Sequence, residues 1–182
     1  FSLAKRVAPG LELHVSTQAS TTNWHTVQMW KELGATRVVA AREVSLADLK
    51  EMKDNVDIEI ESFVHGSMCI SYSGRCLLSN YMTGNRDANR GQCSQSCRWK
   101  YSLVESNRPG EYYPIEEDEH GTYIFNSKDL CLIHRIPDLY EAGIDSLKIE
   151  GRMKSVHYCA TVAKVYRTAI DTYLKERENW YV

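Results

Sequence analysis

Four of the six cysteines crowd into one segment, spaced Cys69-x6-Cys76-x16-Cys93-x3-Cys97. The residues between them are rich in Gly, Ser and Arg and show neither helical nor strand periodicity. A core thiol behaves as a small hydrophobe scattered among others, so packing does not account for this density. Disulfides or unrelated core thiols are the ordinary alternatives. Nothing else marks the chain as secreted, however, and thiols in a reducing compartment stay reduced. The chemistry that best uses four clustered thiols is metal ligation, in which soft sulfur selects zinc, Cu(I) or an iron–sulfur centre.

Other reactive groups accompany the thiols. Glu43, Glu61 and His65 are candidate acid–base groups. His14, Gln18, Arg42, Lys148, Glu150 and Arg152 are candidate binding groups, with Ser16 and Lys154 beside them. Arginine offers a planar fork that suits a carboxylate or a phosphate. Each also has a structural reading: a lone histidine is more often a hydrogen-bonded structural group, and Glu43 and Glu61 are equally partners for Arg42 or Arg152, because charge in a closed site must be paired. Arg86, Arg90, Arg98 and Lys100, set against Asp87 and interleaved with Tyr81, Trp99 and Tyr101, have the composition of a local RNA contact. The same cations would also balance thiolate charge.

The elements that must position these groups follow a regular order. Residues 11–17 and 57–63 alternate apolar and polar side chains as strands do, and 36–41 is a short β-branched run suited to a buried parallel strand. Asn23 is placed to cap a helix reaching Leu33, with Gly34 beyond its end. Ser45 and Asp48 form a variant capping box opening a second helix that reaches about Lys53. A fourth strand is expected at 145–149, preceded by a helix with Pro137 in its first turn and Gly143 after its end. The last helix should run from Ser155 to about Arg177, with Val156, Cys159, Ala160, Ala163, Tyr166, Ala169, Ile170 and Tyr173 on one face. Between the third and fourth strands lies an insertion, residues 66–126, that begins with the cysteines. In it Trp99–Val104 and Thr122–Phe125 are expected to pair as an antiparallel ribbon around an Arg108-Pro109-Gly110 turn. Successive βα units of this kind build a parallel sheet, and four of them make half of an eight-stranded barrel, which takes about 250 residues. The candidate polar groups then sit at the C-terminal ends of the strands, where barrel chemistry belongs.

Several motifs resemble one family. Glu61-Ser-Phe-Val-His65-Gly66-Ser67-Met68-Cys69 and Gly74-Arg75-Cys76-Leu-Leu-Ser79 are similar to the signature of peptidase family U32, the collagenase-like proteases. Asn89-Arg-Gly-Gln-Cys93-Ser-Gln-Ser-Cys97-Arg98-Trp99-Lys100-Tyr101, Asn126-Ser-Lys-Asp-Leu130 and Ser146-Leu-Lys-Ile-Glu150-Gly-Arg152-Met-Lys154-Ser155 continue the similarity through nearly the whole chain. Within the family it is most similar to the branch that hydroxylates the wobble uridine of certain tRNAs. The resemblance implies a TIM-type barrel whose earlier strands lie before Phe1, so that residues 1–182 form one partial barrel domain. It implies a [4Fe-4S] cluster, prephenate as co-substrate in place of molecular oxygen, and tRNA as partner. By the spacing of cluster-bearing relatives the ligands are Cys69, Cys76, Cys93 and Cys131, with Cys97 held in reserve. Cys159 is set aside because it lies within the apolar pattern of the last helix. The family name also implies a protease, but the chain has no H-E-x-x-H zinc motif and no serine elbow. A scaffold with a structural zinc is the third reading.

Composition narrows the rest. A chain 43% hydrophobic and 25% charged can bury one core, and a net charge of −2 supplies no global attraction to nucleic acid or to a membrane surface. No apolar run approaches the roughly 18 residues of a membrane span, and the start resembles no signal peptide. The expectation is a cytoplasmic protein, cut from a longer chain, whose open sheet edges favour self-association or a partner subunit.

Overall fold

The structure, a computed structural model, describes all residues except 100, 115, 116, 119, 120, 123–128, 178, 179, 181 and 182. Its centre is a mixed sheet. Strands β1 (His14–Val15), β2 (Arg37–Val39), β3 (Glu59–Gly66) and β5 (Ser146–Glu150) run parallel, while the short β4 (Leu130–Cys131) runs antiparallel. The order is β1-β2-β3, with β5 on the far edge of β3. His65 pairs with both Cys131 and Ile149, so β4 takes over the edge of β3 that β2 leaves after Glu61. All four expected parallel strands are present in one sheet, and the third extends to Gly66.

Helices connect the strands: α1 (Ser2–Val7), α2 (Trp24–Glu32), α3 (Leu46–Asn55), α4 (Leu78–Thr83), α5 (Ile136–Glu141) and α6 (Val156–Lys175). Local chemistry fixes their ends as expected. The Asn23 side chain accepts from the Thr26 N–H, and Gly34 follows at φ +90°. Ser45 and Asp48 satisfy each other's backbone donors, and Ser155 caps α6 through the Tyr158 N–H.

Packing divides the sheet into two faces. Val38, Ile60 and Val64 point toward α2, α3, α5 and α6, where Val27, Leu49, Met52, Ile136, Leu139, Tyr166, Ala169 and Tyr173 complete the core. The opposite face carries charge: Arg37 bridges Glu59 at 2.7 Å and Glu61 at 3.5 Å, and Lys148 reaches Glu61 at 2.7 Å. Such alternation places chemistry on one side and stability on the other.

Two expectations are corrected. Ser102–Leu103 pairs antiparallel with Tyr113–Pro114, not with 122–125; the Arg108-Pro109-Gly110 turn lies between the strands it actually joins. Gly121–Thr122 pairs instead with Glu117–Asp118, and residues 123–125 lie outside the described residues. The apolar face of α6 is also buried only toward its C-terminal half. Val156, Ala160 and Ala163 are exposed, because the first turns of the helix run past the edge of the core.

Candidate functional site

A cavity of about 200 Å³ opens where the C-terminal ends of the strands meet the cysteine segment. Its wall includes Cys69, Cys76, Cys93 and Cys97 together with Gln18, Arg42, Phe63, Lys148, Glu150 and Arg152. Gly74 allows the wall to close. It adopts φ +74°, and a Cβ there would collide with the Gln18 carbonyl, so the cysteine loop lies directly on the turn that follows β1.

Arg42 is the hub. Its guanidinium stacks 3.9 Å from the Phe63 ring centroid, donates to the Cys69 sulfur at 3.0 Å, and donates to Glu150 Oε2 at 3.0 Å. Its backbone N–H donates to Ser73 Oγ at 3.1 Å. Glu43 accepts from the Ser73 N–H and hydroxyl at 3.1 and 2.9 Å, so it pins the loop rather than facing the cavity. Glu150 Oε1 accepts from the Arg152 N–H at 2.8 Å.

The four cavity thiols are free, and each half-buried or exposed. Burial pushes the Cys69 thiol up; Arg42 offsets part of that, while Cys93 and Cys76 add to it. Burial likewise raises Cys97, with Arg98 opposing and Cys93, Cys76 and Cys69 reinforcing. Cys69 and Cys97 thus both disfavour ionising beside the other thiols, a cost that a bound cation would remove. Among the described residues, no three His, Cys, Asp or Glu side chains converge tightly enough to hold a single ion. Four thiols on one wall are the soft donor type that both zinc and iron–sulfur centres take.

The remaining candidates are distributed as follows. Glu61 lies on the same charged face but is saturated. Burial alone would raise its carboxyl, yet Lys148, Ser146 and Arg37 outweigh burial and hold it below the usual range. His65 does not reach the cavity, because a bulge between Phe63 and His65 shifts the register and turns it toward α6. There its ring meets Tyr158 and Tyr166, and burial lowers its pKa; its Nδ1 is buried without a hydrogen bond. His14 stands near Glu12 at 4.0 Å and is absent from the cavity wall. Cys131 is paired opposite His65 in β4, lies beside Tyr166 and does not line the cavity. Cys97 takes part in the cavity wall instead.

Of the described cations lining the cavity, Arg42, Lys148 and Arg98 are each paired with a carboxylate, whereas the Arg152 side chain makes no ion pair or hydrogen bond among the described residues. Sequence reasoning did not single out Phe63, Ser73 or Gln95 as site residues. The signal for Phe63 was its alternation with Glu61 on one strand face. Ser73 and Gln95 carried none: Gln95 sits at φ +55°, with its N–H donating to the Cys93 sulfur at 3.3 Å.

Comparison with known proteins gives this thiol-lined cavity a family. Residues 1–181 match the description of peptidase family U32. The chain belongs to that family. It is 56% identical over 178 residues to the tRNA hydroxylation protein P1 of Bacillus subtilis (strain 168), covering 98% of this chain and 42% of that protein. It is 43% identical over 209 residues to the tRNA hydroxylation protein P of Escherichia coli (strain K12), covering 93% of this chain and 46% of the relative. A 23S rRNA 5-hydroxycytidine synthase of Escherichia coli (strain K12) is 36% identical over 93% of the chain and 25% of its own length. This U32 chain thus spans less than half the length of these relatives. No solved structure matches it.

Proposed function

We propose that this U32 chain is the thiol-bearing part of an RNA-hydroxylating enzyme, acting at C5 of the wobble uridine of tRNA with an iron–sulfur centre and prephenate as co-substrate. The observation that carries the reading is four thiols on the wall of one cationic cavity, in a chain whose relatives are named for RNA hydroxylation. A bound [4Fe-4S] centre supplies redox or Lewis-acid chemistry that side chains lack. Cys69, Cys76 and Cys93 are the shared donors. Two thiols compete for the fourth place: spacing favours Cys131, and position on the cavity wall favours Cys97.

The protein's own groups bind and orient. Arg152, the cation left without a carboxylate, is suited to anchor a carboxylate of the co-substrate, with the Gln18 amide on the same wall. Arg42, held by Glu150 and Phe63, keeps Cys69 in place. Glu61 and Lys148 neutralise each other on the charged face of the sheet, and Lys148 also lines the cavity. The protease reading is weaker, because among the described residues no histidine lines this cavity to activate a thiol. We read the sheet, with its charged face inward and helices outside, as part of a TIM-type barrel completed by further chain.

Mass spectrometry of tRNA nucleosides tests the reading. A strain lacking its own wobble-uridine hydroxylation should regain 5-hydroxyuridine when this protein is supplied, and only if it also makes prephenate. Unchanged tRNA with folded protein present would refute the proposal.

A further inference from the structure

The cations and rings of the cysteine segment separate, in the folded chain, into an inward and an outward set. Arg86 donates to the Gln92 carbonyl at 3.0 Å, Arg98 pairs with Asp129 at 3.0 Å, and the Tyr101 hydroxyl donates to the Ser96 carbonyl at 2.7 Å. Those groups brace the loop. Tyr81, Trp99 and Arg90 are exposed but do not line the cavity, whereas a further pair faces out at its mouth: Tyr72, 72% exposed while lining the cavity, and Arg75, also exposed. Neither side chain makes a hydrogen bond or ion pair among the described residues.

The turn that carries them is fixed. The Arg75 N–H donates to the Tyr72 carbonyl at 3.0 Å. Ser73, fully buried, is held by Glu43 and by the Arg42 N–H, and Gly74 rests on the Gln18 carbonyl. A scattered exposed aromatic needs no explanation. This one stands at the mouth of the candidate reaction cavity, on a turn anchored at both inner residues, three positions from an unpaired cation. A chain with net charge −2 must bind a polyanion through such local features.

We infer that Tyr72 is the stacking platform for an unpaired nucleobase presented at the cavity mouth, and that Arg75 contacts the adjoining phosphate. The ligand class is a single-stranded RNA loop, because a base held in a duplex offers no free face to a ring. A tyrosine on a fixed turn, with only two side-chain torsions to order, loses little conformational freedom on binding, which favours the contact. This inference rests on the RNA reading above and adds to it the surface that receives the substrate.

Fluorescence anisotropy with a labelled anticodon stem–loop, and with a fully paired duplex of the same length, tests it. Tyr72→Ala should weaken stem–loop binding by about tenfold, as loss of one stacked base implies, and Tyr72→Phe should bind like the wild type. Neither change should alter the weaker duplex binding. Arg75→Gln should flatten the dependence of log affinity on log salt by about 0.7, one phosphate contact on a single strand. Wild-type protein that binds no RNA overturns the RNA reading and this inference with it. Wild-type binding that Tyr72→Ala and Arg75→Gln leave unchanged overturns this inference alone.

Discussion

The residues of the charged face owe their state to one another. Glu61 is ionised below the usual carboxylate range because Lys148 at 2.7 Å, Ser146 at 3.0 Å and Arg37 at 3.5 Å overcome its burial. A carboxylate depressed by folding stabilises the native state above its unfolded pKa, and that contribution is lost as pH falls through the folded value. Lys148→Met removes the main opposing partner, so acid unfolding followed by circular dichroism should begin at higher pH than in the wild type. An unchanged acid midpoint would show that the pair contributes nothing. Tyr166 makes a different kind of contribution. Its hydroxyl donates to the Val64 carbonyl at 2.7 Å and accepts from the Leu132 N–H at 3.1 Å, joining α6 to β3 and to the residue after β4. Burial pushes its pKa up, so it remains a donor. Tyr166→Phe should cost about 1 kcal/mol, read as a lower urea midpoint at constant slope.

At the scale of elements, what was legible in the sequence was what short-range chemistry decides. Asn23, Ser45 with Asp48, and Ser155 announced three helix starts because a cap is satisfied within one turn. The rhythm of strands and helices announced the parallel sheet because alternation and helical spacing are local patterns. Longer-range pairing was not legible. The bulge before His65 has no local signature, yet it moves that side chain from the cavity face to the helix face. The partner of Ser102–Leu103 was misplaced because strand pairing depends on distant residues, even though the turn between them was visible. Besides its hydrogen bonds to Glu43 and Arg42, the thiol segment makes one close backbone approach, Gly74 against the Gln18 carbonyl. Gly74→Ala is strained both by its φ of +74° and by that contact, so it should detach the cysteine loop from the turn after β1. We expect far-ultraviolet circular dichroism to keep its helical signal while bound iron falls to a small fraction of the wild-type value. Full iron retention would mean that the loop docks by other means.

At the scale of the whole molecule, some sheet edges and one apolar helix face are left uncovered among the described residues. β1 and β5 are sheet edges, and Val156, Ala160 and Ala163 of α6 are apolar yet exposed. Unpaired edges and open apolar faces associate, so sedimentation velocity should show concentration-dependent self-association; one invariant monomer across concentrations would count against a partial barrel. Among the described residues no helix is long and apolar enough to cross a membrane. What the four-thiol wall holds decides the chemistry. Iron and acid-labile sulfide, measured per chain after anaerobic purification of the wild type and of single Cys→Ala variants, test it most directly. The account predicts about four irons with matching sulfide, lost on changing Cys69, Cys76 or Cys93, and lost on changing one of Cys97 and Cys131 but not the other. A chain that carries one zinc without sulfide, or that keeps its iron after loss of Cys69, Cys76 or Cys93, would contradict it.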